Sequence, residues 1–434
     1  MSQNSNKSRD VIWHDIIFRQ KLQIDKLLFC KLYICKLQKY NLSLLKKERI
    51  MNTPFAYGKL PQEIDFTDRE KEIVRLKNNF NSRVNTIIIS PRRWGKTSLV
   101  RLASLSATKE NKKLKIVHLD IFNIRSEYEF YLLLANEVLR ATSSGWDDLV
   151  KNTRFFLKQL IPQISFSPDK QSTISFSIGW EQLQKSPDDI LNLAENIAIK
   201  KDLNIIICID EFQNIALFEH PGAFQRKLRA HWQTHQKTAY CLYGSKQHML
   251  LDVFSNYAMP FYKFGDIMFL EKIPTADWVS FIQKRFADTK KEISPAEAER
   301  IAVLADNHSY YVQQLAQQVW FRTGKRSTTE IVDNAFEDII NQLSLLFVNV
   351  TDSLSKRQLS LLEAILNNES QLTSKATLAK YHLGTSANVI QLKKRLIELD
   401  IIDDMQSQLQ FLDPMYKHWL ASRYFNIQRR TVNS

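Results

Sequence analysis

Cysteine, glycine and long hydrophobic runs are all scarce in this sequence of 434 residues. The four cysteines (Cys30, Cys35, Cys208 and Cys241) are too few and too scattered for a disulfide framework, so a reducing, cytoplasmic setting is expected. No apolar run approaches the roughly 20 residues that a membrane-spanning helix needs, and no transmembrane segment is predicted. Apolar residues make up 44% and charged residues 24%, which excludes a wholly disordered or coiled-coil chain.

The net charge of +14 is unevenly distributed along the chain. Residues 1–50 contain eleven basic and four acidic side chains, a net charge of +7. Residues 351–434 have a net charge of only +3, and the 300 residues between these segments are nearly balanced. The basic composition therefore does not by itself indicate a nucleic-acid-binding protein.

The basic leader at residues 1–50 has two interpretations. Its Lys, Leu and Ile residues recur at loosely helical spacing, which is typical of an amphipathic helix that rests on a membrane or a partner. Alternatively, the segment is an over-extended reading frame, because Met51 begins a stretch, MNTPFAYGKLPQEI, that resembles the natural start of a domain. We favour the second interpretation.

Residues 51–273 alternate between helical and strand patterns. This order predicts an α/β fold with a parallel sheet that is covered on both faces. Alternating polar and apolar residues on both sides of a polar turn predict a β-hairpin insertion near 163–180. The predicted strands are Asn85–Ile89, Lys115–Asp120, Asn204–Ile209, Thr238–Tyr243 and Asp266–Leu270.

The strand patterns of the sheet stop after Pro274. Residues 274–350 predict a helical lid, and residues 351–434 predict a winged-helix domain, with three helices followed by a short hairpin. The length of the chain is consistent with two or three domains, each with its own core. The predicted helices of the third domain are Ser355–Asn367, Lys375–Tyr381 and Ser386–Leu399.

A phosphate-binding loop is predicted between the strand that ends at Ile89 and the next helix. Its pattern is GxxxxGK[ST], with Ser90 in place of the first glycine. The amide groups of such a loop, with the helix N-terminus, surround the phosphates of a nucleotide. Gly95 allows close approach of the backbone, Lys96 is expected to contact the β- and γ-phosphates, and Thr97 is expected to ligate Mg²⁺. The predicted nucleotide-binding residues are Ser90, Pro91, Arg92, Arg93, Trp94, Gly95, Lys96, Thr97 and Ser98.

Two carboxylates directly follow the apolar strand Asn204–Ile209. Asp210 is expected to hold Mg²⁺ through water, and Glu211 is expected to orient and polarise the attacking water. Ser245 follows the next predicted strand, where a polar side chain can sense the γ-phosphate. The predicted cofactors are ATP and Mg²⁺, the predicted catalytic residues are Lys96, Glu211 and Ser245, and the predicted metal ligands are Thr97 and Asp210.

Simpler structural roles compete with some of these assignments. A lone acidic pair often caps the next helix, although its combination with a phosphate loop favours the catalytic role. Ser245 is equally typical of a turn. Arg226 and Arg229 lie on the helix after the acidic pair, where an arginine can reach the nucleotide of a neighbouring subunit, but a solvated helix face is more common. Arg93 is a weaker candidate for a contact with phosphate or a partner.

Five motifs in order resemble the archaeal-type ATPase family, which lies near the STAND branch of the AAA+ class. They are FAYG at 55–58, FTDRE at 66–70, SPRRWGKTSL at 90–99, DEFQ at 210–213 and YGS at 243–245. The resemblance implies an AAA+-like P-loop core, a helical lid and a C-terminal winged helix. It also implies that the segment Asn307–Tyr310 replaces the lid's Gly-x-Pro turn that contacts adenine, with Ser309 at the proline position. Asp413, Pro414 and Trp419 resemble the family's closing turn and terminal helix.

Three functions are compatible with these features. The first is an ATP-driven switch that couples a slowly hydrolysed nucleotide to the positions of the lid and winged helix. The second is an ATP-regulated DNA-binding protein that resembles the replication initiators of archaea. The third, a scaffold without turnover, is disfavoured because a pure binder does not need Glu211. An unidentified protein partner or self-association also fits the fold.

The case for DNA depends on the predicted recognition helix Ser386–Leu399. Four of its side chains suit contacts with a nucleic acid, namely Gln391, Lys393, Lys394 and Arg395. Four acidic side chains lie on or just after the helix, namely Glu398, Asp400, Asp403 and Asp404. The small net charge of the domain would release few counterions from DNA, so the switch is the preferred function.

Overall fold

The structure is a computed structural model of the chain. It describes residues 53–58, 69–156, 165–168, 174–177, 187–404 and 409–427. The predicted leader at residues 1–50 lies outside the described residues. The chain divides into two units, Met1–Thr53 and Pro54–Ser434, and the fold and the candidate site both belong to the second unit.

Five parallel strands form the central sheet, in the order β2-β5-β6-β1-β7, as the alternating pattern predicted. A separate antiparallel pair, β3 and β4, forms the predicted hairpin. The winged-helix hairpin consists of β8 and β9. In chain order the strands are β1 (Thr86–Ile89), β2 (Leu114–Asp120), β3 (Ser165–Pro168), β4 (Ile174–Ser177), β5 (Asn204–Asp210), β6 (Thr238–Gly244), β7 (Asp266–Phe269), β8 (Ile402–Asp403) and β9 (Gln410–Phe411).

Helices cover both faces of the sheet. Successive residues of β1 alternate between the two layers, with Ile87 and Ile89 in one buried cluster and Ile88 in the other. Such strands are apolar on both sides, which explains their continuous hydrophobic sequences. The helices of this region are α1 (Glu70–Ser82), α2 (Lys96–Glu110), α3 (Glu127–Thr142), α4 (Trp146–Phe156), α5 (Pro187–Leu191), α6 (Leu193–Lys201), α7 (Pro221–Trp232) and α8 (Gln247–Ser255).

The structure differs from the predicted helices at three places. The sequence pattern predicts one helix near 187–200, but the structure divides this stretch at Asn192 into α5 and α6. A 3-10 helix, Phe212–Leu217, follows the acidic pair and was not predicted. Helix α8 was also missed, although its buried residues Leu250, Val253 and Phe254 have helical spacing.

A largely helical region follows the sheet. Its helices are α9 (Thr275–Ala287), α10 (Pro295–Leu304), α11 (Ser309–Arg322), α12 (Thr329–Asp352), α13 (Lys356–Leu366), α14 (Lys375–Lys380), α15 (Ser386–Glu398) and α16 (Pro414–Trp419). Helix α12 has 24 residues and crosses the predicted lid boundary at 350. One hydrophobic cluster extends from Trp278 in the lid to Trp419 in the winged helix, so these two predicted units share a core. None of the described helices is long and apolar enough to cross a bilayer.

Candidate nucleotide-binding site

The predicted phosphate loop connects β1 to α2. Gly95 has a φ of +88° immediately before the helix, a conformation that glycine adopts without steric cost. Arg93 also has a positive φ, of 66°, whereas Ser90 does not. Serine in place of the first glycine of the pattern is therefore accommodated without backbone strain. The loop delivers the N-terminus of a helix of 15 residues to the edge of the sheet.

Lys96 is buried at the start of α2, and its side chain folds back to contact the backbone of the phosphate loop. Its Nζ donates hydrogen bonds to the carbonyl oxygens of Ser90 (2.9 Å) and Pro91 (2.7 Å). An ammonium group has three donors, so one remains for a phosphate oxygen. Burial lowers the pKa of Lys96 to about 8, although the nearby charges of Glu211 and Asp210 act in the opposite direction. A bound phosphate would supply the negative charge that favours the protonated amine.

Thr97 and Asp210 come together across the gap between α2 and β5. Thr97 Oγ1 donates to Asp210 Oδ2 at 2.7 Å, and the backbone amide of Glu211 donates to Asp210 Oδ1 at 2.8 Å. Burial raises the pKa of Asp210 to about 6, while the hydrogen bond from Thr97 lowers it. The two residues predicted as metal ligands therefore present adjacent oxygen atoms.

The donor set beside the loop fits Mg²⁺. Magnesium prefers oxygen ligands and usually keeps several waters, with one or two carboxylates and the substrate phosphates completing its coordination. A hydroxyl and a buried carboxylate at Thr97 and Asp210 match that requirement. In the part of the chain that the structure describes, no group of three or more His, Cys, Asp or Glu side chains is placed to hold a metal ion.

Glu211 occupies a strained position between the ends of β5 and β6. Its φ is +54°, and its Oε2 accepts hydrogen bonds from Ser245 Oγ (3.0 Å) and from Gln213 Nε2. A Cβ at Gly244 would lie 1.9 Å from Gln213 Oε1, so the contact with Gln213 requires glycine there. The predicted catalytic Ser245 therefore orients the carboxylate. Gln213 was missed as a functional residue, although the DEFQ motif contains it.

A cavity of about 390 Å³ lies in front of Glu211 and Ser245. A second cavity of about 330 Å³ adjoins it, and the two share Pro91, His308 and Leu412 as lining residues. The phosphate loop, the strand ends, the lid and the winged helix all line the first cavity. Their contributions include Arg92, Arg93, Glu211, Ser245, His308, Tyr311, Asp400, Leu412 and Asp413.

The lid turn at Asn307–Tyr310 lies against the phosphate loop. The guanidinium of Arg93 lies 4.5 Å from the ring centroid of Tyr310, so this predicted loop residue contacts the lid. Tyr57 packs on the same ring, with centroids 5.1 Å apart. His308 is buried, and its Nδ1 has no hydrogen-bond partner among the described residues. Burial and the charge of Arg93 lower the pKa of His308 to about 4, so its imidazole is neutral.

The remaining arginine candidates lie on α7. The side chain of Arg226 is exposed. The guanidinium of Arg229 instead lies 4.9 Å from the ring centroid of Phe264, packed on an aromatic side chain of the core. Of the two, Arg226 is the residue that keeps the accessibility expected of an arginine finger.

The winged helix contributes residues to the cavity that sequence reasoning missed. Asp413 caps α16 by accepting hydrogen bonds from the backbone amides of Met415 and Tyr416. Its other oxygen accepts a hydrogen bond from Tyr311 of the lid at 2.6 Å. That contact joins residues 102 positions apart, so no local pattern could reveal it.

Comparisons with known proteins agree with this architecture. The family described as "Probable winged helix domain" matches residues 345–422. Comparison with curated protein sequences finds no match. A Walker-type ATPase of Pyrococcus abyssi superposes with a TM-score of 0.60 at 16% identity, over 85% of this chain and 99% of its own. The ORC2 protein of Aeropyrum pernix, in ADPNP and ADP complexes, superposes with a TM-score of 0.55 at 15% identity, over 84% and 94%.

At these identities the structural likeness establishes the fold, and the winged-helix match covers its C-terminal part. The chain therefore has the fold of the P-loop ATPases, a parallel five-stranded sheet with helices on both faces, followed by a C-terminal winged-helix domain.

Proposed function

We propose that the protein binds ATP with Mg²⁺, hydrolyses it slowly, and uses the nucleotide to set the positions of its lid and winged helix. The observation that carries this proposal is the grouping of Lys96, the Thr97–Asp210 pair and the Ser245–Glu211 pair at one edge of the sheet. A helix cap would need only one of the two acids. Here both acids have separate polar partners from other elements.

Each side chain of the candidate site has a separate role in the proposed hydrolysis. The free donor of Lys96 binds a phosphate oxygen, and the loop amides hold the phosphates in place. Glu211, held by Ser245 and Gln213, orients a water and accepts its proton. Mg²⁺, when bound, neutralises charge on the phosphates. Thr97 and Asp210 are the residues that would hold the metal.

The switch follows from the parts of the chain that line the cavity. Residues of the lid and of the winged helix both reach the space in front of Glu211. A nucleotide in that space contacts the P-loop core, the lid and the winged helix. The relative energies of the possible lid and winged-helix positions therefore depend on whether the nucleotide is a diphosphate or a triphosphate. The similar ATPase and ORC2 structures support the fold that this function needs.

The metal dependence of ATP binding tests the proposal through Asp210. Replacing Asp210 with Asn should weaken Mg-ATP binding about tenfold and remove most of the difference between buffers with Mg²⁺ and with EDTA. Equilibrium binding and phosphate release measure both effects. Asp120→Asn is the matched control because Asp120 pairs in register with Asp210 at the end of the neighbouring strand. Equal Mg²⁺ dependence in both variants would contradict the proposal.

A second candidate function is DNA binding through α15. One observation favours it: the outward face of this helix is accessible, with Ile390 61% exposed and Gln391 and Lys394 also exposed. The other two basic side chains are engaged within the domain. Lys393 pairs with Asp404 at 2.8 Å, and Arg395 pairs with Glu398 at 3.1 Å.

Replacing Lys394 with Ala tests the second candidate. If α15 binds DNA, the variant should bind a duplex several-fold more weakly and show a shallower dependence of affinity on salt. Lys393→Ala on the same helix is the control, since it removes a charge that is already paired. Fluorescence anisotropy at low salt provides the measurement. No binding by the wild type under those conditions would eliminate this function.

A further inference from the structure

Two carboxylates of the winged-helix domain line the cavity beside the phosphate loop. Asp400 follows α15, and Asp413 begins α16; both line the same cavity of about 390 Å³ as Glu211 and Ser245. Arg92 of the phosphate loop lines this cavity as well. The winged-helix domain therefore contributes two acidic side chains to a cavity that Arg92, Arg93, Arg125 and Lys246 also line.

The charges around Asp400 come from two sides of the cavity. The side chain of Asp400 is exposed, but its partial desolvation in the cavity raises the pKa of its carboxyl, whereas the positive charges of Lys246 and Arg92 lower that pKa. Arg92 belongs to the phosphate loop, and Lys246 directly follows Ser245. Asp400 thus shares the lining of one cavity with the cations Arg92 and Lys246. The negative charge of Glu211 acts on Asp400 as well.

Asp413 is held more firmly than Asp400. Its carboxylate accepts hydrogen bonds from Tyr311 and from two backbone amides of α16. Rotating away from an approaching phosphate would break these bonds. Asp400 lies in a positive-φ turn, with φ of 56°, an αL conformation that Asn also tolerates. Replacing Asp400 with Asn should therefore remove the charge with little effect on the backbone conformation.

We propose that Asp400, supported by Asp413, makes the site discriminate between nucleoside diphosphate and triphosphate. This inference rests on the proposed nucleotide switch. A third phosphate lies on the side of Glu211 and Ser245, where it meets the carboxylates and competes with Asp400 for Arg92 and Lys246. A diphosphate ends before that point. The docked winged helix therefore favours the diphosphate, and the triphosphate favours its separation from the loop.

The affinities of Asp400→Asn for ATP and ADP test this proposal. The substitution should strengthen ATP binding about tenfold relative to ADP binding, because it removes one like charge near the terminal phosphate. Asp404→Asn is the matched control: it removes a winged-helix carboxylate that pairs with Lys393 instead. Asp400→Glu, which keeps the charge, should retain most of the wild-type preference. Isothermal titration of each variant with both nucleotides gives the ratios.

The outcomes separate this inference from the proposed function. An unchanged ATP-to-ADP ratio in Asp400→Asn, with normal thermal stability, would overturn the role of Asp400. If Lys96→Ala abolishes ATP binding in the same experiments, the nucleotide site itself still stands. If Lys96→Ala binds both nucleotides like the wild type, the proposed function fails as well. An equal change of the ATP-to-ADP affinity ratio in Asp404→Asn would mean that the net charge of the domain, and not the position of Asp400, sets this ratio, and would overturn the proposal.

Discussion

Replacing Glu211 with Gln is expected to slow ATP hydrolysis by about 10²- to 10⁴-fold while leaving ATP binding close to that of the wild type. The carboxylate oxygen Oε2 accepts hydrogen bonds from Ser245 and Gln213. A glutamine amide oxygen can still accept the bond from Ser245, but it cannot take a proton from water. The variant therefore removes the proposed base and keeps most of the hydrogen-bond geometry around it.

Single-turnover phosphate release and equilibrium ATP binding separate these two effects. Glu219→Gln is a suitable control because Glu219 is an exposed acid eight residues further along the chain. A Glu211→Gln protein that hydrolyses ATP at the wild-type rate would show that this carboxylate is not the base. The wild type would then be a nucleotide-binding scaffold, or another group would activate the water.

The sheet could be predicted because its strands are buried on both faces. All seven residues of β6 are buried, and so are five of the seven residues of β5, which gives continuous apolar runs between polar turns. The break at Asn192 could not be predicted in this way. Its side chain accepts hydrogen bonds from His231 and His235, which lie about 40 residues away. The local periodicity of a sequence does not reveal tertiary contacts of this kind.

Some residues of the candidate site could likewise be predicted from local sequence motifs, whereas others reach the site only through tertiary packing. The phosphate loop and the acidic pair could be predicted because loop chemistry requires Gly95 and Lys96 next to each other, and β5 ends at Asp210. The shared core of lid and winged helix then brings Asp400 and Asp413 to the cavity. Asp400 was one of the acids that counted against DNA binding in the sequence, whereas Asp413 was noted there only as part of the closing turn. In the structure they line the cavity beside the loop.

Replacing Lys96 with Ala is expected to weaken ATP binding by about 10²- to 10³-fold, since the proposed function assigns this buried charge to a phosphate oxygen. Unfolding cannot explain such a loss if the protein remains as stable as before. Burial lowers the pKa of Lys96 to about 8, so the charged amine destabilises the nucleotide-free fold below that pH. This cost disappears as the pH rises from about 8 towards the unfolded value of 10.5.

Lys96→Met serves as the matched variant because it fills similar volume without the charge. At pH 7 its free energy of unfolding should equal or exceed that of the nucleotide-free wild type, and the difference should shift in favour of the wild type towards pH 10. Denaturant unfolding at both pH values provides the measurement. At one ATP concentration, ATP should raise the melting temperature of the wild type far more than that of either variant. A shift in either variant as large as that of the wild type would mean that the nucleotide does not depend on the loop that contains Lys96.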